Sequence, residues 1–314
     1  MSTATVLPEP RMVFGYGQEL ERPQQGLATF GPFDRDHAAR PSAIRYGLVG
    51  TAEGVASAKA FLSALRRPQT PPGQLSHRLW PPFPGFEAAF DCLLPSEPAW
   101  EATIDATELD RSARMGDAHD RAFAVVNHYL EPMKSLKDRD ERIDVVFCVV
   151  PEQVFRNCRP MSRVPSRARS TAVLSSEQRR LLALGQTDLL DPNALTRREY
   201  SVDFRRQLKA RAMPLELPIQ ILRETTLRLD DLNSNPNVRS LTPMSDRAWN
   251  IGTALYYKAG GKPWRLAGAR RGVCYVGLAF RLANPRDSRS TSAVCAAQMF
   301  LEDGDGIVFK GEYG

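Results

Sequence analysis

Histidine and cysteine are scarce in this chain of 314 residues, and neither is arranged for chemistry. The four histidines, His37, His77, His119 and His128, never pair at metal-ligand spacing, and none takes a catalytic role. The five cysteines, Cys92, Cys148, Cys158, Cys274 and Cys295, are widely spaced, with no C-x-x-C pair. Cys148, Cys274 and Cys295 fall inside apolar, strand-like runs, where a thiol behaves as a small hydrophobe. This usage excludes a disulfide framework and a structural zinc site, and it fits a reducing cytoplasm. Apolar runs long enough to span a bilayer are missing, so no membrane partner is expected. The N-terminus has no basic region followed by a long apolar core, so no secretion signal is read there. Nucleophile elbows and Cys/His catalytic arrangements are missing too.

What is present is an ordinary globular composition, 42% hydrophobic, with a net charge of +6. The charge favours a polyanionic partner only weakly; its distribution says more. Between Arg197 and Arg228 eight cations face four acids, and from Lys258 to Arg271 five cations face none.

The pattern of apolar residues predicts an alternation of strands and helices. Residues up to about 42 read as an extended, Pro/Gly-rich lead segment with strand-like pieces ("RMVFGYG", "GLATFGPFD"). "AIRYGLVG" predicts a strand, and "AEGVASAKAFLSALRR" a helix with Val55, Ala58, Leu62 and Leu65 on one face. "PPFPGFEAAFDCLL" predicts a proline-rich approach to a second strand. "DRAFAVVNHYLEPMKSL" carries Ala122, Val125, Val126, Tyr129 and Met133 at helical spacing. "RIDVVFCVVP" is a continuous apolar strand of the kind covered on both faces in a parallel sheet. "SSEQRRLLALG" opens with a capping box, Ser175 to Gln178. A short basic helix, "DFRRQLKARAM", precedes the strand "LPIQILRETTL", and "SDRAWNIGTALYYKAGG" is a helix that Gly260 and Gly261 can terminate. The fold class expected is α/β, a sheet built from right-handed crossovers. After Gly261 three strands follow in succession, "GVCYVGLAF", "AVCAAQMFLED" and "GIVFKGEYG", the last two joined by a turn at "DGDG". They read as the start of a different domain that stops early, so a truncated or fragmentary chain is expected.

Three stretches are candidates for chemistry. "GLVGTAEG" follows a strand and opens a helix, a place where a phosphate can be cradled. Gly47, Gly50 and Gly54 do not match G-x-G-x-x-G, however, and a tight strand-to-helix turn accounts for them. In the basic helix Arg205 and Lys209 project from one face a turn apart, where they repel. A solvated helix face accounts for such a pair. But Gln220 interrupts the apolar run "PIQIL", and Lys258 ends the next long helix before "GG". Converging at the sheet's end, two cations, an amide and a third cation can hold a terminal phosphate. The acidic hairpin Glu302, Asp303 and Asp305 is ordinary turn chemistry.

With these residues in view the sequence resembles the short prokaryotic Argonautes. "FGPFD" is similar to that family's lead segment, and "IRYGLVGTAEGVASAKAFL" and "PPFPGFEAAF" to the opening of its MID domain. "VVFCVVPEQVFRNCRP" resembles the strand that follows. "FRRQLKARAM…PIQILRETTL" and "ALYYKAGGKPWRL" are the most specific matches, and "CYVGLAF" resembles the first strand of PIWI, an RNase H-like fold. The resemblance implies a lead segment over 1–42, a Rossmann-like MID domain over 43–262 and a partial PIWI domain over 263–314. It implies that Arg205, Lys209, Gln220 and Lys258 hold the 5′-phosphate of a small guide RNA, with Mg2+ able to assist there. It implies a single-stranded DNA target and a separate effector carrying an APAZ region with a TIR, SIR2 or nuclease domain, in defence against plasmids or phages. Ala279 stands where slicing Argonautes place the first metal-binding aspartate, so a protein that does not cleave is expected. The competing expectations are a nucleotide-binding α/β enzyme using the Gly47–Gly54 turn, and a fragment without activity of its own.

Overall fold

The computed structural model describes residues 8–73, 75–137, 139, 142–164, 197, 200–229, 241–282, 293–302 and 304–310. Contacts divide the chain into two units, and the larger comprises Pro41–Glu87 with Cys92–Gly260. Its centre is a parallel sheet of four strands: β1 (Tyr46–Gly50), β2 (Trp100–Thr103), β3 (Val145–Val150) and β4 (Ile219–Arg223), in the order β2-β1-β3-β4. Parallel neighbours need crossovers, and here these include helices that cover the faces. They are α1 (Ala52–Leu65), α2 (Ala106–Ala113), α3 (Ala118–Lys134), α4 (Glu152–Asn157), α5 (Phe204–Ala212) and α6 (Met244–Lys258).

Every residue of β1 and β3 is buried. This is why the two runs carry no alternation: with both faces covered, each side chain meets another layer. Tyr129 of α3 shows how a helix locks onto the sheet. Its hydroxyl donates to the Val149 carbonyl at 2.8 Å, and its ring meets Phe204 of α5 edge to face at 5.2 Å. Helix starts follow from local chemistry. Thr51, Asp105, Asp117 and Asp203 each accept backbone N–H bonds at the opening of α1, α2, α3 and α5.

The other unit comprises residues up to Arg40, Ala88–Asp91 and the stretch from Gly261. Met12–Val13 pairs antiparallel with both Glu19–Leu20 and Arg265–Leu266, so the lead segment shares a small sheet with residues well over two hundred positions away. A second antiparallel sheet joins β5 (Tyr275–Leu282), β6 (Ala293–Phe300) and β7 (Gly306–Lys310), with β6 in the middle.

The structure corrects three sequence expectations. "GLATFGPFD" is not strand-like: Pro23–Phe30 is a helix, with proline at its first position and Gly31, at φ +74°, closing it. "PPFPGFEAAFDCLL" gives no sheet strand either. Phe86–Phe90 is helical, and Leu93 makes only an isolated parallel bridge with Ala43. The second strand of the sheet is β2 instead, a short edge strand alternating half-buried and exposed, which offers no apolar run to recognise. Finally, Gln220 is half-buried on edge strand β4, rather than buried on both faces. The helix expected from the Ser175–Gln178 capping box lies outside the described residues, as does Asp303.

Candidate functional site

Because β4 ends the sheet, its outer side is lined by helices and loops, and a cleft of about 580 Å³ opens there. Gln220 and Arg223 of β4, Arg205 at the start of α5, Asn250 of α6, and Phe155 and Arg159 in and just after α4 all line it. The basic helix and the strand that follow one another in sequence are thereby brought together. Two of the four residues expected to hold a phosphate, Arg205 and Gln220, face the same cleft. Arg205 is exposed, with no hydrogen bond or ion pair among the described residues. The Gln220 amide nitrogen makes only a long contact to the Ile221 carbonyl, 3.4 Å, so its amide is held weakly by the protein.

Lys209 and Lys258 do not line the cleft but stand close to one another. Lys209 is exposed on α5. Lys258, in the last turn of α6, is half-buried and donates its ammonium to the Ile219 carbonyl at 2.8 Å, at the start of β4. Burial holds its pKa below the ordinary value, and the nearby Lys209 charge lowers it further, against a smaller opposing pull from Cys148. A helix C-terminus favours a cation, yet this one is kept partly desolvated beside a second cation. An anion between them relieves both penalties.

The wall of the cleft was not legible in the sequence. Glu152 at the start of α4 accepts two bonds from Arg223 and one from Arg156, the last at 2.7 Å. Burial pushes the Glu152 carboxyl up, but these guanidinium bonds more than offset it and hold the carboxyl below its ordinary value. The Arg223 guanidinium lies 3.9 Å from the centre of the Phe155 ring, and that of Arg159 lies 5.3 Å from it. Arg223 is thus committed to Glu152 and Phe155. Arg159 differs: its Nε is buried without a hydrogen-bond partner. No local pattern could single out Arg159, since its interest lies in what tertiary packing leaves unpaired.

The Gly47–Gly54 turn is filled by the protein itself. Thr51 Oγ1 accepts the Gly54 N–H at 3.1 Å, and Glu224 Oε1 lies 3.2 Å from the same hydroxyl. A Cβ on Gly54 would sit 3.0 Å from Glu224 Oε1, which explains the glycine without a ligand. Burial raises the Glu224 pKa, the Thr51 bond opposes the rise, and the Glu53 and Glu152 charges add to it. A mouth occupied by carboxylates repels phosphate, so the nucleotide-binding expectation at this turn is not supported.

Ala279 lies on β5 opposite Ala296 and is exposed. Of the acidic hairpin, Glu302 accepts the Gly272 N–H and Asp305 pairs with Lys262 at 3.1 Å. Among the described residues no group of three or more His, Cys, Asp and Glu is placed to hold a metal. His128 serves packing: its Nε2 lies 3.0 Å from Ser112 Oγ, bridging α2 and α3, and burial lowers its pKa against the Glu108 and Asp105 charges. Burial pushes the Cys158 thiol up to about 12, against a smaller pull from Arg121, which leaves it inert as a nucleophile. Among the described residues no helix is long and apolar enough to cross a membrane.

No family model and no curated protein matches the chain. Among solved structures it is similar to a crystal structure of the Argonaute Aa-Ago with externally bound siRNA. The identity is 11% and the TM-score 0.44, covering 96% of this chain and 31% of that one. A structure of the Aquifex aeolicus Argonaute gives 11% identity and a TM-score of 0.42, covering 97% of this chain and 32% of that one. The chain spans about a third of the length of these Argonautes.

Proposed function

We propose that this protein is a nucleic-acid-binding module that anchors a small guide RNA by its 5′-phosphate. The observation that carries the reading is the convergence of the basic helix on edge strand β4. Arg205 and Gln220 share one cleft with a single acid, Asp203, in its lining, and Lys209 and Lys258 repel each other nearby with no ion-pair partner among the described residues. A phosphomonoester carries nearly two negative charges and accepts several charge-assisted bonds, so it suits a set of three cations and an amide. A neutral cofactor leaves the lysine repulsion unrelieved.

Further steps rest on the resemblance of the sequence to short Argonautes. The guide pairs with single-stranded DNA, base pairing reads the target, and the protein reads backbone and end. Recognition then activates a partner effector bearing an APAZ region, with a TIR, SIR2 or nuclease domain, in the cytoplasm of a cell under plasmid or phage attack. The protein itself does not cleave, because the Ala279 methyl cannot ligate a hard cation. A Mg2+ ion at the 5′-phosphate fits poorly with the protein's own groups. The four candidate residues supply one neutral oxygen donor, Gln220, and three cations, so such an ion would depend on phosphate oxygens.

The test is a competition titration of a 5′-phosphorylated strand against the same strand with a 5′-hydroxyl. Each charge-assisted bond contributes about 1.5–3 kcal/mol, so Lys209→Ala should remove roughly tenfold or more of the preference for phosphate while leaving salt-sensitive backbone binding. Equal weakening of both strands would make Lys209 part of a general basic surface and contradict the pocket.

A further inference from the structure

The connection between α1 and the Phe86–Phe90 helix is basic throughout. From Gly54 to Phe86 the sequence has no carboxylate, but it carries Lys59, Arg66, Arg67 and Arg78. Lys59 is taken by Glu97 and Glu101, at 3.6 and 2.6 Å. The three arginines stand at the foot and on the tip of a loop whose ends are fixed. The Gln69 and Phe83 backbones exchange two hydrogen bonds, of 2.8 and 2.9 Å, and the Gln69 amide donates to the Ala64 and Arg67 carbonyls at 2.7 and 3.2 Å. Phe83 is fully buried and meets Trp249 of α6 edge to face at 4.9 Å, and the Trp249 indole donates to the Pro82 carbonyl at 3.1 Å. Gly85, at φ +103°, brings the returning chain back against the end of α1: a Cβ there would lie 3.1 Å from the Arg66 carbonyl oxygen.

Two features of this pinned loop face outward. At its tip the Leu79 and Trp80 amides both donate to the Ser76 carbonyl, at 3.1 and 2.9 Å, and the Arg78 amide donates to the Ser76 hydroxyl at 3.3 Å. This turn holds Leu79 73% exposed, beside exposed His77 and Arg78. At its foot a cleft of about 230 Å³ is lined by Ser63, Arg66, Arg67, Glu87 and Leu94. Arg66 and Arg67 are exposed, and among the described residues neither side chain has a hydrogen bond or an ion pair, with Glu87 or any other acid. A single exposed leucine is ordinary on a protein surface. Here it is carried on a backbone arranged in advance, which reduces the entropy lost on docking, next to arginines whose planar forks suit carboxylates.

We propose that this loop is a protein-docking element, along which an acidic segment of a partner protein lies with its carboxylates on Arg66 and Arg67 and an apolar side chain against Leu79. A nucleic acid could use the arginines but would leave Leu79 without a role, so the combination favours a protein. The proposal goes beyond the reading of the β4 cleft and does not rest on it.

The experiment selects binders to the full chain from a display library of random short peptides, then titrates the most enriched sequences as synthetic peptides. The selected sequences should be rich in Asp and Glu beside an apolar residue. Their affinity should fall about tenfold or more when Arg66→Gln and Arg67→Gln are combined, as expected for lost charge-assisted contacts, and by a smaller factor in Leu79→Ser. All three side chains are exposed, so the thermal midpoint should be unchanged in both variants. The preference for a 5′-phosphate should be unchanged too, which separates this proposal from the reading of the 5′ end. Selected peptides without acidic enrichment, or peptides that bind the variants as well as the unaltered protein, overturn it. A lowered thermal midpoint in either variant would make the loop a structural element and also overturn it. If the arginine variant weakens binding of a single-stranded oligonucleotide but of no selected peptide, the loop is a nucleic-acid surface instead. If Leu79→Ser abolishes a concentration-dependent dimer seen by sedimentation and changes no peptide's affinity, the loop serves self-association, and the proposal falls.

Discussion

The parallel sheet and the β5–β7 sheet are written in similar residues and end in different surroundings. "VVFCVV" in β3 and "YVGLAF" in β5 are both apolar runs, yet β3 is buried throughout, whereas Tyr275, Val276 and Leu278 of β5 are 47%, 57% and 60% exposed. Connectivity accounts for the covered sheet. Parallel strands are joined by crossovers, which here bring helices onto the sheet, whereas antiparallel neighbours bring no covering layer with them. Hydrophobicity in the sequence therefore marks a strand without saying whether its faces are covered. The candidate chemistry follows the covered sheet: the cleft exists because α4, α5 and α6 meet at the edge strand that this sheet presents.

The comparison is sharpest for a large side chain at the centre of the covered sheet. Phe147 of β3 is fully buried, and Phe147→Ala should cost about 3–5 kcal/mol, read as a lower denaturant midpoint with little change in slope. A smaller loss is expected at Arg121 of α3, which is buried and bonded to carbonyls and a hydroxyl but, among the described residues, to no carboxylate. Arg121→Met should cost about 1–3 kcal/mol through the acceptors it leaves unpaired. Leu278→Ala, in the exposed sheet, should cost no more than about 0.5 kcal/mol, seen as little or no shift of the midpoint. If Leu278→Ala cost as much as Phe147→Ala, the contrast between the two sheets would be wrong.

Most of the covered sheet was legible because both-face burial leaves a continuous apolar run, as in Val145–Val150, and because helical spacing at Ala122, Val125, Val126, Tyr129 and Met133 is unambiguous. β2 was not legible, since an edge strand of four residues alternating half-buried and exposed has no run to find. The Pro23–Phe30 helix was missed because the glycines flanking "LATF" suggested extended chain, while the proline opening the helix carried the correct signal. Within the site, Arg205 and Lys209 announced themselves by spacing and Gln220 by being polar in an apolar strand. Arg121 and Arg159 could not be told apart in sequence. Each is an arginine in or beside a helix, and only tertiary packing shows that one has its donors satisfied while the other has a buried Nε unpaired.

Lys258 offers the most direct test, because its environment is the physical reason for expecting an anion. Its pKa lies below the ordinary 10.5 for a lysine, through burial and then Lys209. Between the lowered folded value and 10.5 the unfolded chain binds more protons than the folded one, so stability should rise with pH across that window. A bound phosphate favours the charged ammonium, takes up a proton and moves the pKa back upward. The measurement is an NMR titration of the Lys258 side chain, assigned with Lys258→Arg, in the free protein and with strands bearing a 5′-phosphate or a 5′-hydroxyl. The account predicts a value below 10.5 in the free protein, a clear rise with the 5′-phosphorylated strand and a much smaller one with the 5′-hydroxyl. The same titration curve with both strands, at full occupancy, would contradict it.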